Sequence, residues 1–165
     1  MSNNSEITIL VTGGTFDKEY NEIKGKLYFN ESHIKEMLDL GRCNIPVTIK
    51  NLMLKDSLDM VDIDRKLILD ACMQTEINKI VITHGTDTMT VTAKFLAQNI
   101  KNKTIIFTGA MIPYKFGSSD GLFNLGSALT AAQTLGPGVY IAINGNIFQW
   151  DKVIKNRKKG IFESI

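Results

Sequence analysis

An open α/β sheet of mainly parallel strands, with helices on both faces, is the fold class predicted by this sequence of 165 residues. Three observations predict it. Five short apolar runs rich in β-branched residues recur along the chain. Segments with helical spacing separate them, so strand and helix alternate. The first, third and fourth runs are almost continuously apolar, as strands buried on both faces are. Alternation of this kind gives a parallel sheet joined by right-handed crossovers.

The elements follow in order. Residues 7–11 (ITILV) form the first strand. The polar stretch 16–31 has no apolar periodicity and is long for a connection, so it reads as a functional lid or a disordered loop. Ile34, Met37 and Leu38 mark a helix preceded by Ser32 as its cap. Residues 46–52 (PVTIKNL) form the second strand. Ile63, Leu67 and Ala71 give the second helical stripe, capped by Asp59 or Asp62. Lys79–Thr83 (KIVIT) is the third strand, and Met89, Ala93 and Leu96 the third stripe. Thr104–Thr108 (TIIFT) is the fourth strand. Asp120 then precedes a stripe of Leu122, Leu125, Leu129 and Ala132. Gly138–Ile143 (GVYIAI) is the fifth strand, and residues 144–165 read as a C-terminal hairpin closing over the strand ends. No repeat or low-complexity linker divides the chain, so one doubly wound, flavodoxin-like domain over residues 1–165 is expected.

Composition narrows the class. With 44% hydrophobic and 22% charged residues, 13 Gly and 3 Pro, the chain is neither disordered nor collagen-like. A chain of this length folds without a staple. Cys43 and Cys72 form no CxxC pattern and lie beside apolar positions, so both read as reduced structural thiols. His33 and His84 form no HExxH and no Cys/His cluster, so no protein-bound metal is expected. No apolar run approaches the length of a membrane span, and the polar start lacks the basic segment of a signal peptide; a cytoplasmic location is the expectation. Charge is nearly balanced at +2. Lys152, Lys155, Arg157, Lys158 and Lys159 cluster near the end, without the interleaved aromatics of a nucleic-acid face. Apart from Lys155, they read as a solvated tail.

Open α/β sheets bind ligands beyond the carboxyl ends of their strands. The first strand is followed by Thr12-Gly13-Gly14-Thr15, and the second by Lys55-Asp56-Ser57-Leu58-Asp59. His84-Gly85-Thr86-Asp87-Thr88 follows the third, Gly109-Ala110-Met111 the fourth, and Asn144-Gly145-Asn146 the fifth. Hydroxyls, carboxylates and glycines therefore converge on one cleft. Neither a GxGxxG nor a phosphate-loop motif is present, and no GxSxG elbow. A hydroxyl nucleophile remains open at Thr15, where two preceding glycines let the backbone approach a ligand closely.

Together these blocks, with FGSSDGLFNLG at 116–126, resemble bacterial-type L-asparaginases in order and spacing over nearly the whole chain. The resemblance implies an amidohydrolase that cleaves the side-chain amide of L-asparagine and needs no cofactor. It places the nucleophile on Thr15, and the loop tyrosine that serves it on Tyr20, with Tyr28 as the alternative. The second catalytic group falls on Thr86, Asp87 and, aligned without a gap beyond the fifth strand, Lys155. A desolvated lysine beside a hydroxyl gives up its proton more readily and can act as base. Substrate contacts fall on Gly14, Ser57, Asp59, Thr86, Asp87 and Ala110. Ser57 would take the α-carboxylate and Asp87 the α-ammonium, while backbone N–H groups near Gly14 and Thr86 would hold the oxyanion.

Larger members of that family carry a second domain beyond the point where this chain stops, so the chain resembles the short single-domain members or else a fragment of a longer gene. The family's frequent glutamine after the serine is Leu58 here, and the acidic residue that larger members borrow from a neighbour's second domain is missing. Weak, millimolar-range affinity for asparagine is expected from both. Surface left bare by the missing domain implies a homodimer or homotetramer, with the fourth helix and the segment of Phe148 and Trp150 as self-contacts. The alternative is a non-catalytic module that senses asparagine or binds a partner. An amidase for glutamine or a peptide-linked amide is a third reading.

Overall fold

The structure is a computed structural model that describes residues 6–165; the first five residues of the polar start lie outside them. Strand β1 (Ile7–Gly13) is buried along its whole length, which places it inside a sheet. Around it are β4 (Val47–Lys55), β5 (Lys79–Thr83), β6 (Thr104–Thr108), β7 (Gly138–Ile143) and β8 (Asn146–Gln149). Their order is β4-β1-β5-β6-β7-β8. The first five are parallel, and β8 runs antiparallel to β7. This is the doubly wound arrangement expected. The chain leaves β1 to one side for β4 and returns to the other side for β5, so the topological switch point lies between β1 and β5.

The helices are α1 (Ile34–Leu40), α2 (Asp62–Gln74), α3 (Met89–Asn99) and α4 (Gly121–Thr134). On one face, α2 and α3 bury Ile68, Cys72, Met89 and Leu96 against Leu10, Ile82 and Phe107. On the other, α1 and α4 bury Ile34, Met37, Leu125 and Leu129 against Ile9, Val81 and Ile106. Two antiparallel ribbons stand outside the main sheet: β2 (Lys18–Asn21) with β3 (Lys26–Phe29), and β9 (Val153–Asn156) with β10 (Ile161–Ser164). Among the described residues, no helix is long and apolar enough to cross a membrane.

Several expectations need correction. Residues 16–31 are not a structureless loop. They form a 3-10 turn, Thr15–Asp17, and the β2–β3 hairpin, whose turn is closed by the Lys24 N–H on Asn21 Oδ1 at 2.8 Å. The buried face of α2 is not Ile63, Leu67 and Ala71. Ile63 and Leu67 are exposed, and Asp64, Arg65, Ile68, Leu69 and Cys72 face inward. The offset is one residue, about 100° of helix rotation. It follows from Asp64, which holds Lys55 Nζ at 2.8 Å on both oxygens and also takes the Val61 N–H at 2.9 Å. A charged residue thus sits on the buried face, and neither Asp59 nor Asp62 caps the helix; Val61 stands at the cap position. Ser32 Oγ accepts the Ile34 N–H at 3.3 Å, although the cap position of α1 falls on His33.

The C-terminal segment does form a hairpin, β9–β10, but its first part is β8, the sixth strand of the sheet. Phe148 lies there in the core and is not free for a self-contact, whereas Trp150 packs against that core and stays partly exposed. Leu125, Leu129 and Ala132 likewise face the core. The outer side of α4 presents Phe123 instead, 63% exposed, beside Ile147 on β8.

Candidate active site

The carboxyl ends of β1, β5 and β6 and of the neighbouring β4 meet at one edge, and glycines let their loops touch. The β1–β4 register shifts between Val11 and Gly13, and the Gly14 N–H bonds to Lys55 O at 2.9 Å. Gly14 has φ +77° and ψ −174°, a region essentially reserved for glycine. A Cβ there would lie 2.4 Å from Gly85 N, and a Cβ on Gly85 would lie 2.6 Å from Ser57 Cβ and Oγ. The turns carrying Thr15, Thr86 and Ser57 are therefore in backbone contact, without room for a methyl group between them. The 3-10 turn Ser57–Asp59 is tied to the β5–α3 loop by Thr88, whose hydroxyl donates to Ser57 O at 2.8 Å and whose N–H reaches Ser57 Oγ at 3.3 Å. Ser57 itself is buried.

Lys155 reaches this junction from β9. Its neighbour by strand alternation, Val153, is buried in the core, and Phe162 of β10 lies opposite Lys155 in the ribbon register. Lys155 Nζ donates to Thr86 Oγ1 and to Asp87 Oδ1, both at 2.7 Å. The lysine side chain is 9% exposed and that of Asp87 34%. A buried ammonium is tolerated only when paired and hydrogen-bonded, and these two partners meet that need. Arg157 approaches Asp87 from the ribbon turn: its Nη2 donates to the backbone carbonyl of Asp87 at 3.3 Å, and its Nε lies 3.9 Å from Oδ1. Lys158 and Lys159 are exposed.

Six of the expected residues, Gly14, Thr15, Ser57, Thr86, Asp87 and Lys155, thus meet at one place. Three others do not join them. Tyr20 is half exposed on β2, with its hydroxyl over Gly25 in its own hairpin. Tyr28, the alternative, donates to Glu19 at 3.2 Å. Asp59 is exposed on its turn without a side-chain bond to the cluster. Ala110 turns its methyl group into the core under α4, leaving only its backbone for the cleft. Among the described residues, no group of three or more His, Cys, Asp or Glu side chains is placed to hold a metal ion.

The bracing role of the supporting residues was not read from the sequence. Asp120 stands at the cap position of α4, as expected, but makes no side-chain cap bond; its carboxylate instead accepts the N–H groups of Met111 and Ile112 at 3.0 Å and the amides of Asn124 and Asn144 at 3.0 and 3.2 Å. Buried Asn124 adds bonds to Gly109 O and from Asn144 N–H, both 2.8 Å, so the loops after β6 and β7 are held as one unit. At the foot of the hairpin, buried Asp17 accepts the His33 N–H at 2.8 Å. Burial pushes its carboxyl pKa up, against the opposing pull of His33 and Ser32.

The family described as "Asparaginase, N-terminal" matches residues 6–164. The chain belongs to that family. As an asparaginase-family chain it is 31% identical to the L-asparaginase of Thermococcus kodakarensis, over 97% of its own length and 51% of that protein. To L-asparaginase 2 of Escherichia coli it is 31% identical, over 96% of its length and 49% of that protein. The solved Thermococcus kodakarensis enzyme superposes with a TM-score of 0.85 at 30% identity, covering 97% of this chain and 51% of the other. A probable cytoplasmic L-asparaginase from Campylobacter jejuni gives 0.82 at 30% identity, covering 97% and 53%. The chain spans about half the length of these relatives.

Proposed function

We propose that this chain hydrolyses the side-chain amide of L-asparagine to L-aspartate and ammonia, with Thr15 as nucleophile. The observation that carries the reading is the contact of the largely enclosed Lys155 with Thr86 and Asp87 at 2.7 Å each, in a loop whose Gly85 abuts Gly14, the residue before Thr15. A pure binding site has no use for a lysine–threonine pair in a loop that abuts the turn of a second hydroxyl. Thr15 Oγ attacks the amide carbon, and its proton passes to the active-site base. The C–N bond breaks and ammonia leaves with a proton, giving a β-aspartyl ester that water then cleaves. Lys155 and Thr86 are the proton-moving pair. Asp87 fixes the lysine through one oxygen and offers the other to the substrate ammonium. Ser57, at the floor of the cleft, takes the α-carboxylate, and Tyr20 serves Thr15 when the hairpin closes.

That the relatives are L-asparaginases supports the substrate. A cytoplasmic location is part of the same reading, supported by the name of the Campylobacter jejuni neighbour. So is a homodimer or homotetramer: α4 has no charged residue in 14, and exposed Phe123 and Ile147 border a groove of about 520 Å³ beside it. Apposing two such faces by a two-fold axis meets no charge repulsion.

Ammonia release from asparagine by the purified chain tests the activity. Thr15→Ala should lose several orders of magnitude in kcat while keeping the fold. Lys155→Met should do the same, whereas Lys158→Met should leave kcat within about twofold. Retention of more than about a tenth of kcat by Thr15→Ala would refute the nucleophile.

A further inference from the structure

We propose that Lys18 is a positioning residue that couples the turn of Thr15 to the turn of Ser57 and keeps the latter receptive to an anion; this rests on the roles just given to Thr15 and Ser57. The backbone N–H of Lys18 closes the 3-10 turn on the carbonyl of Thr15 itself. Its side chain leaves the hairpin and pairs with Asp56, the residue immediately before Ser57. The other oxygen of Asp56 accepts the Leu58 N–H at 3.0 Å, capping the 3-10 turn that holds Ser57. One carboxylate therefore shapes the Ser57 turn and anchors the lysine that shapes the Thr15 turn. Lys18 is itself held from the far side by Phe29, its cross-strand partner, with the ring centroid 5.7 Å from Nζ.

The β2–β3 hairpin is not hydrogen-bonded to the main sheet. At its root it is tied by Asp17 to the His33 N–H, and Glu19 lies 3.1 Å from His33 Nε2 without hydrogen-bond geometry. Among the described residues, Lys18–Asp56 is the one ion pair that joins the hairpin to the Ser57 turn. Its side chains are 18% and 30% exposed, so water screens it only in part. Burial works to raise the Asp56 pKa, but the Lys18 bond, the Leu58 amide and the charges of Lys18 and Lys155 outweigh it and hold the carboxyl below its ordinary value. Asp56 is thus a fixed negative charge one residue from the hydroxyl assigned to the substrate's α-carboxylate. Unpaired, it would repel that carboxylate; Lys18 cancels it. Removing Lys18 loosens the Thr15 turn and uncovers the repulsion together.

The test reads asparagine KM and kcat, and, independently of chemistry, the calorimetric dissociation constant of L-aspartate. Lys18→Met keeps the aliphatic stem and should raise both KM and the aspartate dissociation constant about tenfold, equivalent to about 1.4 kcal/mol, with a smaller fall in kcat. Lys18→Arg should restore both to within about threefold of wild type, because it re-forms the ion pair. Lys18→Met combined with Asp56→Asn should recover part of the lost affinity, since the asparagine keeps the cap to Leu58 and drops the charge. A purely structural role for Lys18 would give no such recovery. Lys18→Met with wild-type KM and aspartate affinity, or a double variant no better than Lys18→Met, overturns the proposal. A wild-type chain that neither hydrolyses asparagine nor binds aspartate overturns instead the functional reading beneath it.

Discussion

His84 offers a sharp test of how burial shapes this site. The imidazole is fully buried between β5 and α3. Nδ1 lies 2.7 Å from Gly85 O and Nε2 2.9 Å from Thr92 Oγ1. A carbonyl only accepts, so Nδ1 carries the proton and Nε2 accepts from the threonine hydroxyl. Burial drives the imidazole pKa down, from 6.5 to about 4, so the ring stays neutral in the folded chain. In the unfolded chain it gains a proton as pH falls through 6.5, and the folded chain follows only near 4. The unfolded state binds more protons in that window, so stability is lost as pH falls across it and levels off below. At about 1.4 kcal/mol per pH unit, the loss is about 3 kcal/mol, a large share of the 5–15 kcal/mol typical of a domain. Asp17 acts with the opposite sign, because its raised pKa makes the folded chain take up a proton first. Asp56 and Asp64, with lowered pKa values, matter only below the ordinary aspartate range. Urea unfolding of the wild type and of His84→Gln at pH 7, 5.5 and 4.5 isolates the imidazole: the wild type should lose about 2.4 kcal/mol more over this range than the variant. The chain has only two histidines, so proton NMR can follow the ring directly. A His84 midpoint near 6.5, or equal pH slopes in the two proteins, would refute the reasoning.

Gly85→Ala would drive a methyl group to within 2.6 Å of Ser57; overpacking of this kind costs about 1–3 kcal/mol in stability, and asparagine KM should rise with it, measured by urea unfolding and steady-state kinetics. Tyr20→Phe should lower kcat by about two orders of magnitude if it is the tyrosine serving Thr15, while Tyr28→Phe should stay within about twofold; the reverse pattern in kcat transfers the role to Tyr28. Phe162→Ala removes the core anchor opposite Lys155 and should cost about 3 kcal/mol, with activity disappearing at denaturant concentrations where far-UV circular dichroism still reports the main sheet.

The sheet was legible because its strands are made by local sequence. Lys79–Thr83, Thr104–Thr108 and Gly138–Ile143 are read with their observed bounds, since β-branched runs buried on both faces leave no alternative face to choose. The flanks were less legible. In α2, Leu67-Ile68-Leu69 supplies apolar residues on adjacent sides, and the side that turns inward is settled by the Asp64–Lys55 pair, a contact between a helix and another strand that no periodicity encodes. The β2–β3 ribbon escaped notice because each strand has four residues and its apolar side chains, such as Leu27 and Tyr20, stay largely exposed. Its signal lay in the turn, where Asn21 precedes a Lys24-Gly25 pair and Gly25 takes a φ of +61°.

The site divides along the same physical line. Gly14, Thr15, Ser57, Thr86 and Asp87 each follow a strand directly, so knowing the strands places these residues at one edge, and the glycine spacing then signals that the backbones touch. Lys155 was reachable only through the family resemblance, aligned without a gap past the fifth strand, because it arrives on a ribbon outside the sheet. Lys18 with Asp56 and Asp120 with its four partners were not reachable at all. Each joins segments separated in sequence by a crossover or more, and each is an ordinary charged residue until the fold supplies its partner. What sequence leaves out is therefore not the residues proposed to react, which sit where strand geometry puts them. It is the bracing that sets their separations, and a shift of about 1 Å in such separations can cost on the order of a hundredfold in rate. Substitutions at Lys18, Asp56, Asp120 and Asn124 are accordingly the ones whose effects the motif residues alone would never forecast.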